Sequence, residues 1–81
     1  MKLAFYGKLG EVIGREITLE QGDYPDNVGA LRSFLSAQYP ELAGELSSER
    51  AKIIVDDIVV GDEFSLLGVE LAEFLPPVSG G

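Results

Sequence analysis

The chain has 81 residues, which is one domain, and a chain of this size buries only about 60% of its unfolded-state surface, so its core is limited. It contains neither cysteine nor histidine, which excludes disulfides, thiol nucleophiles and Cys-x-x-Cys redox pairs, and removes the commonest general base and metal ligand together with Ser-His-Asp and Cys-His arrangements. Fourteen acids stand against six scattered bases, a net charge of −8, so no phosphate-neutralising surface for nucleic acid is expected. The acidic surface either keeps a small domain soluble or steers it to basic partners. An apolar fraction of 46% suffices for a folded globule. No apolar run approaches the roughly 18 residues of a membrane span, so no membrane association is expected. The chain opens directly in strand-like sequence, so no signal peptide is expected and the cytoplasm is the default location.

Residues 2–7 form the first expected strand, supported by the β-formers Phe5 and Tyr6. Gly7, Gly10 and Gly14 then punctuate the chain, and residues 8–13 fit either a tight helical turn or the arm of a hairpin. Glu16 to Glu20 alternates polar and apolar with period two, the pattern of a half-buried strand, and Gln21 to Pro25 is loop. A helix is expected to start near Asn27, whose side chain suits an N-cap. Val28, Leu31, Phe34 and Leu35 give it one apolar face; Gly29 weakens its first turn by roughly 1 kcal/mol relative to alanine. Pro40 ends it near Gln38, and Leu42 and Leu46 suggest a short second helix.

Lys52 to Val55 and Ile58 to Val60 are β-branched runs separated by Asp56-Asp57, which predicts two short strands joined by a tight turn. Gly61 to Glu63 is loop. Glu70 to Leu75 alternates as a last strand, and Pro76-Pro77 ends it because neither proline can donate to a sheet ladder. The order is strand, strand, helix, strand, strand, strand. A small mixed sheet covered by one principal helix would bury both apolar faces, an α+β layout.

The segment Pro76-Pro77-Val78-Ser79-Gly80-Gly81 is the most informative. The prolines favour an extended exit from the sheet. From Val78 onward the segment reaches about 13 Å at about 3.3 Å per residue. A glycine pair passes through channels too narrow for a Cβ and adopts dihedrals closed to other residues. Such a tail suits insertion of a terminal carboxylate into another protein's active site, where adenylation would turn a poor acyl donor into a mixed anhydride. The competing reading is a frayed terminus that ends in glycine.

Other motifs carry less. Gly7-Lys8-Leu9-Gly10 lacks phosphate-loop spacing and reads as turn punctuation. Asp56-Asp57 and Asp62-Glu63 fit no calcium-loop spacing and read as loop charges. Ser33, Ser36 and Ser65 have no histidine to activate them. Tyr6, Phe34, Tyr39, Phe64 and Phe74 are expected in the core or half-buried.

Phe5-Tyr6-Gly7 with Glu11-Val12-Ile13-Gly14, Asn27-Val28 with Ala30-Leu31-Arg32, Val55 with its turn, and above all Phe74-Leu75-Pro76-Pro77-Val78-Ser79-Gly80-Gly81 resemble the small subunits of molybdopterin synthase. The resemblance covers essentially the whole chain, and the Pro-Pro-Val-x-Gly-Gly ending is its most specific part. It implies a β-grasp, ubiquitin-like domain over residues 1–75 and a reactive tail over 76–81. It also implies a sulfur cycle. A ubiquitin-activating-like adenylyltransferase uses ATP to adenylate the Gly81 carboxylate, and a sulfur donor protein converts it to a thiocarboxylate. The tail then enters the large subunit of a heterotetramer and gives sulfur to cyclic pyranopterin monophosphate, forming the molybdopterin dithiolene. The chain itself would bind no cofactor and would donate sulfur to an active site in the large subunit.

Gly80 and Gly81 are then the reacting end. Tyr6, Val59 and Leu75, with Pro76, Pro77, Val78 and Ser79, are the expected partner interface. Period-two alternation leaves open whether Tyr6, Val59 and Leu75 face solvent or core. Two positions depart from the family pattern: Gly10 stands where an arginine is common, and Leu67-Gly68-Val69-Glu70 replaces an Asp-Gly-Asp-Glu turn. Alternatives are a sulfur carrier for thiamine synthesis or tRNA thiolation, and a ubiquitin-like modifier or interaction domain.

Overall fold

Alternation along the strands builds the core. Leu3 and Phe5 of β1 (Lys2–Phe5), Ile53 and Val55 of β3 (Lys52–Val55), Val60 of β4 (Ile58–Val60), and Ala72 and Phe74 of β5 (Leu71–Leu75) are all buried on one sheet face. Ile17 of β2 (Glu16–Thr18) packs against their edge. The computed structural model describes residues 1–77. Its five-stranded sheet has the order β2-β1-β5-β3-β4, with β1 and β5 parallel and every other neighbouring pair antiparallel. Register sets Phe5 opposite Phe74, and their rings lie 5.0 Å apart at 35°. Such a pair contributes about 0.5–1.5 kcal/mol beyond its buried area.

Helix α2 (Val28–Gln38) covers this face through Val28, Leu31 and Leu35. Leu9 of α1 (Lys8–Ile13), Leu42 of a 3₁₀ turn (Pro40–Leu42) and Leu46 of α3 (Ala43–Ser47) complete the layer. The result is a small α+β domain. Among the described residues no helix is long and apolar enough to cross a membrane.

The start of α2 follows the expected capping, with the Asn27 side chain accepting the Ala30 N–H at 2.8 Å. Two further N–H groups of its first turn donate outward, Val28 to the Phe64 carbonyl at 3.0 Å and Gly29 to the Asp62 carbonyl at 2.9 Å. A Cβ on Gly29 would lie 3.0 Å from the Asp62 Cβ, so this glycine trades helix propensity for close approach of the 61–65 loop. Arg32, one turn on, has a side chain only 11% exposed. It donates to the carbonyls of Leu46, Ser48 and Ala51 at 2.8–3.1 Å and pairs with Asp62 at 2.9 Å, tying α2 to both of its flanking loops.

Residues 8–13 are helical, and Gly10 is the reason they fit: a Cβ there would stand 2.6 Å from the Phe5 carbonyl oxygen. The expected hairpin at Asp56-Asp57 is present, both residues left-handed at φ 52° and 65°. These are the signs a two-residue type I′ turn requires, and aspartate tolerates them better than most residues. The strands are shorter than the alternation suggests. β1 ends at Phe5 because the chain turns at Gly7, whose φ is +60°. Tyr6 still donates its N–H to the Phe74 carbonyl at 3.1 Å.

Candidate functional site

β5 is the central strand, held by β1 on one side and β3 on the other, so the position where the chain leaves it is fixed from both flanks. Leu75 lies opposite Lys52 of β3. Pro76 packs on Gly7, so closely that a Cβ at Gly7 would come within 2.9 Å of the proline Cγ. Gly7 has φ +60° and ψ −139°, a combination essentially closed to residues with a side chain. One glycine therefore meets two demands, turning the chain out of β1 and opening a notch for the first proline of the tail. Pro76 and Pro77 are half-buried at this exit. The expected reactive residues Gly80 and Gly81, and the interface residues Val78 and Ser79, lie outside the described residues.

Beside the exit lies the sheet face that no helix among the described residues covers. Register places Glu16, Ala4, Glu73, Ile54 and Val59 in one row across all five strands. Leu71 and Leu75 flank Glu73 along β5 on the same side. Val59 is 59% exposed and Tyr6 46%, while Leu75 and Ile54 are half-buried. The question that alternation left open is thereby answered for Tyr6 and Val59, which face solvent. Phe64 is also exposed, unlike Phe74, which is buried, and Phe34 and Tyr39, which pack against the core.

The Tyr6 hydroxyl donates to Glu73 Oε2 at 2.7 Å. That hydrogen bond, then the negative charge of Glu73, then desolvation hold the phenol above its ordinary pKa of 10.0, so Tyr6 is a neutral, oriented ring at physiological pH. This face sets the exposed Val59 and Tyr6 side chains beside the carboxylates of Glu73 and Glu16, with the chain exit at its margin.

Sequence reasoning missed Ile54, Leu71 and Glu73 on this face. The parity of Ala72 and Phe74 assigns all three once their register with β1 and β3 is known. The Tyr6–Glu73 bond joins residues 67 positions apart, and no local pattern signals it.

The remaining candidates have structural roles. Asp62 pairs with Arg32, Ser36 donates to the Arg32 carbonyl at 2.8 Å, and Ser65 Oγ accepts the Leu67 N–H at 3.2 Å. Among the described residues no group of three or more His, Cys, Asp or Glu side chains is placed to hold a metal ion. No protein-family model matches the chain, and no curated protein matches it.

Proposed function

We propose that this chain is a β-grasp, ubiquitin-like sulfur carrier, the small subunit of a molybdopterin synthase acting in the cytoplasm. The observation that carries the reading is the pairing of a chain exit held in the Gly7 notch with a sheet face that carries exposed Tyr6 and Val59 and half-buried Leu75. A protein whose terminus must enter two different active sites in turn needs a docking surface beside the root of that terminus. The mixed sheet, with its parallel central pair and one principal helix across it, is compatible with the β-grasp that the sequence resemblance implies.

In this reading the Gly81 carboxylate oxygen attacks the α-phosphate of ATP on an adenylyltransferase, forming the acyl-adenylate and releasing pyrophosphate. A sulfide equivalent from a donor protein adds to the acyl carbon and expels AMP, leaving the thiocarboxylate. The tail then enters the large subunit, passes its sulfur to cyclic pyranopterin monophosphate and returns as the carboxylate. Two such rounds complete one dithiolene. The chain's contribution is presentation: the Gly7–Pro76 contact aims the tail, the open face docks the partner, and the glycine pair threads the channel.

The test is reconstitution. The thiocarboxylated chain, mixed with the molybdopterin synthase large subunit of the same organism and the pterin precursor, is expected to yield molybdopterin. Formation of thiocarboxylate without molybdopterin would move the protein to another sulfur pathway, such as thiamine synthesis or tRNA thiolation. Appearance of Gly81 in an isopeptide bond would make it a modifier.

A further inference from the structure

We infer that the concavity between the Asp56-Asp57 turn and the 64–70 connection, at the end of the sheet away from the Pro76-Pro77 exit, docks a partner segment that pairs an apolar side chain with lysine or arginine. The concavity has a volume of about 360 Å³, with Val55, Phe64, Leu67 and Val69 as apolar lining and Asp56 and Glu70 as carboxylates. Leu67 is 88% exposed and Phe64 40%. Ile58, opposite Val55 in the hairpin, is also exposed, at 64%.

Leu67 is held outward by construction. Leu66 beside it is fully buried and donates its N–H to the Asp26 carbonyl at 2.8 Å. The Leu67 N–H is tied to Ser65 Oγ at 3.2 Å, and Val69 closes the turn onto the Leu66 carbonyl at 3.1 Å across Gly68 at φ +78°. A leucine fixed in water by its neighbours' hydrogen bonds gains only when a second surface covers it.

Charge selects the occupant. No lysine or arginine lines the concavity, and neither Asp56 nor Glu70 has an ion-pair partner among the described residues. Three of the six cations lie towards the other end: Lys52 opposite Leu75, Lys8 next to the Gly7 notch, and Arg15 lining a hollow with Tyr6 and Gly7. Lys2 lies at the cleft's own end, its N–H donating to the Glu70 carbonyl at 2.8 Å, but its ammonium is turned to Glu16 at 3.7 Å, away from the concavity's lining. A second copy of a chain with net charge −8 is a poor match for an acidic cleft, and a nucleic acid a worse one. A basic, apolar protein segment matches both the walls and the carboxylates. Leu71 and Leu75 at the two ends of β5 are about 13 Å apart, so the concavity is separate from the Pro76-Pro77 exit. The proposal holds whatever chemistry the tail performs.

The probe is an acetylated, amidated peptide alternating leucine and arginine, titrated into the full chain and followed by amide chemical shifts. Controls replace its arginines by glutamate or its leucines by glycine. The expected result is saturable shifts at Val55, Asp56 and Leu67 to Glu70 with the leucine-arginine peptide alone, weakening as salt is raised. Leu67→Ser is expected to weaken binding about fivefold through lost apolar contact. Glu70→Lys is expected to weaken it similarly, and the spectrum outside the cleft should stay unchanged in both variants. Equal binding of the glutamate peptide, shifts centred on Tyr6 and Val59 instead, or cleft shifts that appear on concentrating the protein alone would each overturn the proposal.

Discussion

Replacing Gly7 by alanine tests whether the notch seats the tail. Two costs add. At φ +60° and ψ −139° alanine occupies a region that only glycine populates freely, a strain of about 1–3 kcal/mol. Its Cβ would also stand 2.9 Å from Pro76 Cγ, in a ring that cannot rotate aside, so β5 or the turn must shift by a few tenths of an ångström. Against this, alanine restricts the unfolded chain and returns about 0.4–1 kcal/mol. The net expectation is a loss of about 2–3 kcal/mol, which for a domain of this size lowers Tm by roughly 10–20 °C. Urea unfolding of Gly7→Ala, Pro76→Ala and the double variant separates the terms. Pro76→Ala alone removes a contact without strain and should cost under about 1 kcal/mol. In the double variant the steric part disappears and the backbone part remains, so a coupling of about 1 kcal/mol is expected. A Gly7→Ala loss below about 0.5 kcal/mol, or strictly additive variants, would refute the notch.

Gly10→Ala sets two effects against each other. Helix propensity favours alanine by about 1 kcal/mol, but its Cβ would lie 2.6 Å from the Phe5 carbonyl oxygen, so a net loss of about 1–3 kcal/mol is expected by thermal or urea unfolding. Arg32→Met strands the carbonyls of Leu46, Ser48 and Ala51 and should cost about 2–4 kcal/mol; Arg32→Lys should recover only part, because an ammonium lacks the planar fork that reaches all three. The Tyr6 phenol should titrate above 10.0, and Glu73→Gln should bring it down, read by tyrosine ring ¹³C shifts. Because its folded-state pKa is raised, the Tyr6–Glu73 contribution to stability is complete below the ordinary tyrosine value and is lost as pH rises through the folded one. The Glu45 carboxyl behaves oppositely: its hydrogen bond from Lys8 holds it below 4.5, so its contribution is present above 4.5 and is lost as pH falls through the folded value.

Features decided within a few residues were legible in the sequence. Asn27 before an apolar-periodic run marks an N-cap, Pro40 removes a donor and stops α2, and Asp56-Asp57 between β-branched runs supplies left-handed residues for a hairpin. The helix at 8–13 was not decidable because what admits it is contact with a strand end, the Gly10 approach to Phe5. Arg32 looks like an ordinary exposed helix residue until the loops at 46–51 and 61–62 close around it. Tyr6, Val59 and Leu75 were identifiable as a set only through family resemblance. Their shared face, with Glu73 among them, needed the register of β5 against β1 and β3. The notch joins Gly7 to Pro76, and nothing in either local sequence marks the contact.

In the proposed cycle the Gly81 carboxylate is activated and one of its oxygens is exchanged for sulfur. Intact-mass spectrometry of the chain after incubation with ATP, the adenylyltransferase and the sulfur donor of its own organism tests this most directly. A gain equal to the difference between a sulfur and an oxygen atom is expected. That gain should be confined to the peptide ending in Gly80-Gly81, require ATP, and be absent from a chain lacking Gly81 that still folds. An unchanged mass under conditions where the same enzymes convert a known carrier, or a gain that survives removal of Gly81, would contradict it.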